Sequence, residues 1–184
     1  MKYLAILAAI IFTASVTPAQ LTLSKDDKKI LSDFEMRAGR YTKMRDIVLR
    51  RLPKLPKDAT PEQIILNKTH LREGVQKARV NARQGDLFTQ SATALIRSII
   101  KQEFKGYEGA EIRQTVLEAD QKGVPLKVNA LYPETKELVE MSPALLLALP
   151  QLPKQLRYRY IGRSLAILDR DNGLIIDFMT DALP

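Results

Sequence analysis

The feature that most constrains this fold is the stretch RYRYIGRSLAILDRDNGLIIDF, which spans residues 157–178. Short apolar runs alternate in it with turn residues at 162–163 and 170–173, and this pattern predicts three antiparallel strands. Near the second turn, consecutive apolar residues must point to opposite faces of the sheet, so both faces are apolar there. Burial of a Leu, Ile or Phe contributes about 1.5–3 kcal/mol per side chain, so we expect something to cover each face.

The two apolar faces of the sheet could be covered by the chain itself or by a partner. The chain itself supplies candidates, because a short helix is predicted at 144–149 for one face and a larger helical segment for the other. This internal cover is our expectation, and a partner that covers one face is the alternative. Internal cover predicts a monomer. A stable homodimer would instead favour the alternative, in which a partner covers one face.

Two further details concern the same region. The turn at 170–173 is either a two-residue Asn-Gly turn or a three-residue turn with a bulge at Gly173, and this choice fixes which side chains pair across the hairpin. Residues 126–131 alternate between apolar and polar side chains, which predicts an additional strand that Pro133 ends.

Four helices are predicted before the sheet. The first has apolar residues at helical spacing over 30–48. The second starts with the capping pattern TPEQ at 60–63, and Gly85 is expected to cap its end. A third helix opens at Thr89, and a weaker fourth covers about 108–119. Helices joined by connections this short are expected to pack as antiparallel neighbours.

These patterns together predict an α+β fold. It consists of an N-terminal antiparallel helical segment of about four helices, followed by a small antiparallel sheet with one short helix. The chain divides accordingly into a helical region, 20–122, and a small α+β region, 123–184. A chain of this size can bury enough surface to sustain its own core.

The N-terminus MKYLAILAAIIFTASVTPAQ predicts a secretory signal peptide over residues 1–19. It has a positive Lys2, a short apolar run and small residues before the expected cleavage point. An uncleaved N-terminal anchor is the alternative. No later run approaches the length of a spanning helix, so we expect a periplasmic or secreted protein that does not span the membrane after cleavage. The chain has no Cys, so its core rather than disulfides must hold it.

Positive charge is concentrated in the N-terminal half. The formal net charge is +8, and residues 20–105 hold 19 basic and 10 acidic side chains. A basic balance favours anionic partners, and export makes nucleic acid the least expected of them, so we expect none. The candidate residues for binding an anionic envelope surface are Lys43, Arg50, Arg51, Lys54, Lys57, Arg72, Arg79 and Arg83. A solvated helix face is the alternative explanation of this cluster.

The residue types required by common catalytic and metal sites are scarce. His70 is the only His, and with Glu73 it offers at most two ligands of a site that needs three or four. The turn from Asp169 to Gly173 departs from the calcium-loop pattern, because Gly is fifth and Thr180 occupies the twelfth position. We therefore expect no metal and no cofactor, and no residue is assigned as catalytic. A carboxylate pair could still support hydrolysis, although no spacing singles one out.

The form LPxLPK occurs twice, at 52–57 and at 149–154, each time after a predicted helix. One interpretation is an extended proline segment that a partner could grip. The other is a stiff connector whose two Leu residues are fixed to the core.

The C-terminal stretch LPQLPKQLRYRYIGRSLAILDRDNGLIIDFMTDALP resembles the last third of a group of uncharacterised exported bacterial proteins, which share the pattern LPxLPxxLxYRxxGRxLxLxDxxxxLIxDxxxxALP. That group also has stretches similar to TPEQI at 60–64 and QGDLF at 84–88. The resemblance implies export and this architecture, and it carries no activity. About 20 residues, in the stretch YRYIG…LDRDNGLII, are also similar to the C-terminal hairpin of periplasmic nickel/cobalt-homeostasis proteins. A metal role in this chain would need more His or Cys than it has.

The sequence predicts an exported, non-catalytic binding or structural module of the cell envelope. A carboxylate-based envelope hydrolase is the alternative, and a periplasmic accessory protein for metal homeostasis is a third. A flat basic face would favour the first function, whereas paired, buried carboxylates in a cleft would favour the second.

Overall fold

The computed structural model describes residues 23–105 and 107–184. In chain order, its elements are α1 (Lys25–Arg50), α2 (Pro61–Ala78), α3 (Gln90–Glu103), α4 (Tyr107–Glu118), α5 (Pro143–Ala148), β1 (Leu156–Ile161), β2 (Ser164–Asp169) and β3 (Ile175–Met179). The predicted α+β fold is confirmed: helices come first, and a small antiparallel sheet with one short helix follows. The predicted signal peptide, residues 1–19, lies outside the described residues.

Local sequence signals explain where the helices begin. Thr60 caps α2 in a capping box, because its hydroxyl accepts from the Gln63 N–H while the Gln63 side chain accepts from the Thr60 N–H. Ser24 and Asp27 form the same arrangement at the start of α1. Gly85 does not cap α2, since the helix ends at Ala78 and Gly85 bends the following loop with a φ of 91°.

The helices α1 and α2 pack antiparallel, as predicted. Tyr41 contacts Arg79 near one end of the pair, and Asn67 donates to the Pro53 carbonyl at the other end at 3.3 Å. α1 also packs on α3, and α3 packs on α5. Among the described residues, no helix has both the length and the apolar character needed to cross a membrane.

The sheet has the strand order β1-β2-β3, with both neighbouring pairs antiparallel. The β1–β2 turn contains two residues, with Gly162 at a φ of 53° in the first position. The β2–β3 turn fits neither predicted alternative. The Asp169 N–H donates to the Leu174 carbonyl, so four residues, 170–173, form the turn. The Asp169 carboxylate stabilises it by accepting from the N–H groups of Asp171 and Asn172.

Both faces of the sheet are apolar and both are covered by the chain itself. One face packs on the helices through a core that includes Tyr158, Leu165, Ile167 and Ile176. The other face forms a second core whose members from the sheet are Ile161, Ala166, Leu168, Ile175 and Phe178. Segment 124–138 covers this second face through Tyr132 and partly buried apolar residues.

The assignment of the cover differs from our expectation in one respect. The short helix α5 lies on the same side as the other helices, because Leu145 and Leu149 belong to the helix-side core. The second face is therefore covered by an irregular segment, not by α5. Segment 126–131 does not form the predicted strand either. The Tyr132 N–H nevertheless donates to the Gly173 carbonyl, and the Ile175 N–H donates to the Ala130 carbonyl. Asn129 explains this, since its φ of 63° breaks the extended conformation.

Candidate functional site

The end of α1, the connector 51–60 and the start of α2 form a projecting surface, which we call the tip and define as residues 43–67. The tip is built by local signals. Pro53 and Pro56 prevent α1 from continuing, and the Thr60 cap restarts the chain as α2. All residues from 60 to 66 are exposed, and the first buried residue of α2 is Leu71. The first turns of α2 therefore extend beyond the core.

Large apolar side chains are exposed on the tip. Ile64, Ile65 and Leu66 are 39%, 63% and 55% exposed although they are consecutive, so the start of α2 presents apolar side chains in several directions. The other exposed apolar residues of the tip are Ile47, Leu49 and Leu55. Clustered apolar residues at a surface mark interaction sites more often than scattered ones.

Two shallow hollows lie between these side chains. One has a volume of about 460 Å³ and is bordered by Leu49, Leu52 and Leu55 together with Arg50 and Lys54. The second, of about 190 Å³, lies beside it between the connector and α2, with Leu66 and His70 in its wall. Both hollows combine apolar walls with basic margins.

The two LPxLPK segments behave differently in the structure. In the second, Leu149 is buried and Leu152 packs against the core, so it is a fixed connector. In the first, Leu52 packs against the core, whereas Leu55 is 42% exposed. The first segment therefore keeps one apolar anchor free at the surface of the tip.

The charges of the tip are mostly positive and unpaired. Residues 43–67 contain six basic and three acidic side chains. Five of the predicted binding residues lie here and are exposed: Lys43, Arg50, Arg51, Lys54 and Lys57. Within the described part of the chain, none of these five forms an ion pair. The structure thus brings five of the eight predicted residues together with exposed apolar side chains.

The other three predicted residues lie elsewhere. Arg83 is exposed in the α2–α3 loop, and Arg72 is half-buried on a different side of α2. Arg79 is used inside the protein. It donates to the Asn129 side chain at 2.8 Å and to the Ile176 carbonyl at 2.9 Å, and its guanidinium lies 5.2 Å from the centre of the Tyr41 ring. Burial lowers the pKa of Arg79, but an Arg side chain remains charged at neutral pH.

Arg45 is the buried exception among the basic residues of the tip. It is 2% exposed, and its Nε donates at 2.8 Å to the Asp169 carboxylate, which also accepts from the Tyr41 hydroxyl at 2.6 Å. A second bond joins Arg45 to Asp171. Burial lowers the pKa of Arg45, but the charges of Asp169 and Asp171 outweigh this effect and leave it raised. This cluster ties α1 to the β2–β3 turn.

Asp177 performs a similar task for the α2–α3 loop. The carboxylate is fully buried and accepts from the N–H groups of Gly85, Leu87 and Phe88 at 2.7–3.0 Å. A bulge in the β2–β3 pairing, next to Ile167, allows Asp177 to reach this loop. Burial raises the pKa of Asp177, and the backbone N–H groups oppose that rise. The QGDLF stretch is therefore held by a carboxylate of β3.

The surroundings of the buried carboxylates bear on carboxylate-based hydrolysis and metal binding, which the sequence left open. Asp169 and Asp177 are the fully buried carboxylates of the described residues, and each bonds to its own set of donors. The described residues contain no cluster of three or more His, Asp or Glu side chains that could hold a metal ion. The Asp169 oxygens are engaged by Tyr41, Arg45 and the N–H groups of the turn.

Sequence reasoning identified the basic residues of the tip but missed its apolar ones. The signal was present in Ile64-Ile65-Leu66, because three consecutive apolar residues cannot all lie on the buried face of one helix. In comparisons with known proteins, no family model, curated protein or solved structure matches this chain.

Proposed function

We propose that this protein is an exported, non-catalytic module of the cell envelope that binds anionic lipid surfaces peripherally through the tip. The observation that carries the proposal is the coincidence, over residues 43–67, of six exposed large apolar side chains with five exposed basic ones that form no ion pair in the described part of the chain. The predicted signal peptide and the resemblance to exported bacterial proteins support the location.

The two kinds of side chain contribute in different ways. Exposed Ile and Leu residues gain free energy when they leave water, at about 25 cal/mol per Å² of apolar surface buried. Each basic residue close to an anionic membrane contributes about 1 kcal/mol in addition. A surface of this kind lies in the headgroup region and does not span the bilayer.

The charge pattern favours lipid over a protein partner. Protein interfaces are depleted of Lys at their centre, whereas Lys54 and Lys57 stand beside the exposed Leu55. An anionic bilayer accepts such a mixture, because it offers negative headgroups next to an apolar interior. The binding energy should therefore contain both a salt-sensitive and a salt-insensitive part.

Vesicle co-sedimentation tests the proposal directly. The protein, produced from the full chain by a secreting bacterial host, should pellet with phosphatidylglycerol vesicles at low salt, less at high salt, and little with phosphatidylcholine vesicles. Ile65→Ser with Leu66→Ser should weaken binding at both salt concentrations. Lys54→Glu with Lys57→Glu should weaken it mainly at low salt.

A matched charge reversal controls for net charge. Lys28→Glu with Lys29→Glu makes the same change on exposed residues of α1, more than 20 residues from its C-terminal end, which is a distance of roughly 30 Å at the helical rise of about 1.5 Å per residue. This control should keep most of the binding. Equal pelleting with neutral and anionic lipids, or equal loss in the control and the tip variant, would refute the proposal. The mass of the secreted product tests cleavage of residues 1–19.

A further inference from the structure

A second basic surface lies away from the tip, in a cleft of about 250 Å³. Its apolar part includes Leu168, Tyr132 and Leu138, from the core that segment 124–138 forms with the second face of the sheet. Lys68 and Arg72 line it from α2, a side distinct from the one that borders the hollows of the tip. The cleft is thus a semi-enclosed site formed by three separate parts of the chain.

Four basic side chains of the cleft have no carboxylate partner. Lys68, Arg72, Arg157 and Arg170 form no ion pair with any carboxylate of the described residues. The cleft also contains Lys136, which pairs with Asp120 at 3.0 Å, and Asp171, which pairs with Arg45. Among the lining residues, the exposed Glu134 is the remaining carboxylate. The cleft therefore holds a clear excess of positive charge.

Arg157 is placed at a cost to stability. It lies opposite Leu168 in the β1–β2 pairing, and its Nε is shielded from water without a hydrogen-bond partner in the described residues. Burial lowers the pKa of Arg157, and the positive charge of Arg170 lowers it further. Burial also lowers the pKa of Arg159, which projects from the same face of β1, and the charges of Arg157 and Arg170 lower it further. Uncompensated charge of this kind is typical of binding sites.

We propose that this cleft binds a phosphate group, carried by a small phosphate monoester. A phosphate dianion supplies two negative charges and several acceptor oxygens, so it suits the three guanidinium groups and the Lys of the cleft better than a single carboxylate would. The apolar floor at Leu168 and Leu138 accommodates a short organic substituent. The volume lies below the 300–1,000 Å³ that is usual for drug-sized ligands, so the ligand must be compact.

The cleft and the tip make separate predictions. The tip needs exposed apolar residues and an extended anionic surface, whereas the cleft needs one phosphate group within reach of Arg157 and Arg170. Loss of the apolar residues Ile65 and Leu66 should leave phosphate binding unchanged. The two proposals can therefore fail independently.

Thermal unfolding with defined anions tests the site. Glycerol 3-phosphate, at a concentration of about 100 times its Kd, should raise the Tm by roughly 5 °C or more, and acetate at equal ionic strength should not. Arg157→Gln should weaken phosphate binding about tenfold or more in calorimetry, since a hydrogen bond to a charged group is lost. The same variant should be at least as stable as the original protein without ligand, because it removes a partly buried guanidinium whose Nε has no hydrogen-bond partner in the described residues.

Arg83→Gln is the matched control, because it removes one exposed Arg outside the cleft. No Tm rise with phosphate monoesters, or an equal rise in Arg157→Gln and the original protein, would overturn the proposal. Vesicles containing phosphatidic acid distinguish the source of the phosphate. If Arg157→Gln abolishes a preference for phosphatidic acid over phosphatidylglycerol, the ligand is a lipid headgroup. If binding occurs with glycerol 3-phosphate alone, the ligand is a soluble monoester.

Discussion

The buried carboxylates of the sheet and the exposed basic side chains of the tip differ in what they bind. Asp169 and Asp177 are fully buried, and each accepts hydrogen bonds that tie a helix or a loop to the sheet. Five of the six basic residues of the tip, all except Arg45, are exposed and form no ion pair in the described part of the chain. Charge in the first region specifies the packing of this chain, whereas charge in the second is available to something outside it.

Asp169→Asn should have the largest effect on the free energy of unfolding and therefore tests this contrast first. The variant removes the fully buried carboxylate partner of the buried Arg45, and loss of one member of a buried pair costs about 3–5 kcal/mol. Urea unfolding followed by circular dichroism measures the free energy of unfolding. Asp171→Asn is the control, because Asp171 is exposed and its loss should cost about 1 kcal/mol or less. Equal costs for the two variants would contradict the structural role of Asp169.

A second test separates buried from exposed apolar residues on one short helix. Leu145 is 1% exposed and Leu147 is 88% exposed, although both lie on α5. Leu145→Ala should lower the free energy of unfolding by about 2–5 kcal/mol because it leaves a cavity. Leu147→Ala should change it by no more than about 0.5 kcal/mol. A large cost at Leu147 would mean that α5 is covered by a partner.

Asp177→Asn should have an intermediate effect confined to one loop. The amide nitrogen would face backbone N–H groups that now donate to the carboxylate, with a cost of about 2 kcal/mol. Amide hydrogen exchange should become faster at Gly85, Leu87 and Phe88, because their N–H groups donate hydrogen bonds to this carboxylate. Unchanged exchange at these three positions would show that Asp177 does not hold the loop.

The smallest effect on stability is expected at the tip. Ile65→Ser with Leu66→Ser changes two side chains that are more than half exposed, so the free energy of unfolding should move by no more than about 0.5 kcal/mol per residue. Their effect should appear in vesicle binding instead. A large loss of stability would place these residues in a core and would remove the distinction between the two regions.

The elements of the fold were largely predictable because they rest on local signals. The TPEQ cap at Thr60, the cap at Ser142 and the glycine turn at Gly162 each determine nearby backbone, and the structure has all three. The apolar character of both sheet faces also followed from the spacing of residues in β2 and β3. What covers each face did not follow, since that depends on contacts between distant segments.

The site was predictable only in part for the same reason. Arg45 and Arg50 look equivalent in the sequence, yet one is buried against Asp169 and the other is exposed. The difference arises because Asp169 lies 124 residues away along the chain and meets Arg45 only in the folded protein. Arg79 was grouped with the surface residues although it bonds to Asn129 and Ile176. Local charge patterns do not reveal such pairings.

A single tryptophan provides the most direct measurement of the central proposal that the tip enters an anionic bilayer. The chain has no Trp, so Leu66→Trp and the control Leu117→Trp, at a 49% exposed position on α4, each contain a single Trp that can be excited selectively over Tyr. With phosphatidylglycerol vesicles, the emission of Leu66→Trp should shift to the blue, and lipids brominated near the headgroup end of their chains should quench it. Emission from Leu117→Trp should stay unchanged. Equal spectra for both variants with and without vesicles would contradict membrane binding through the tip.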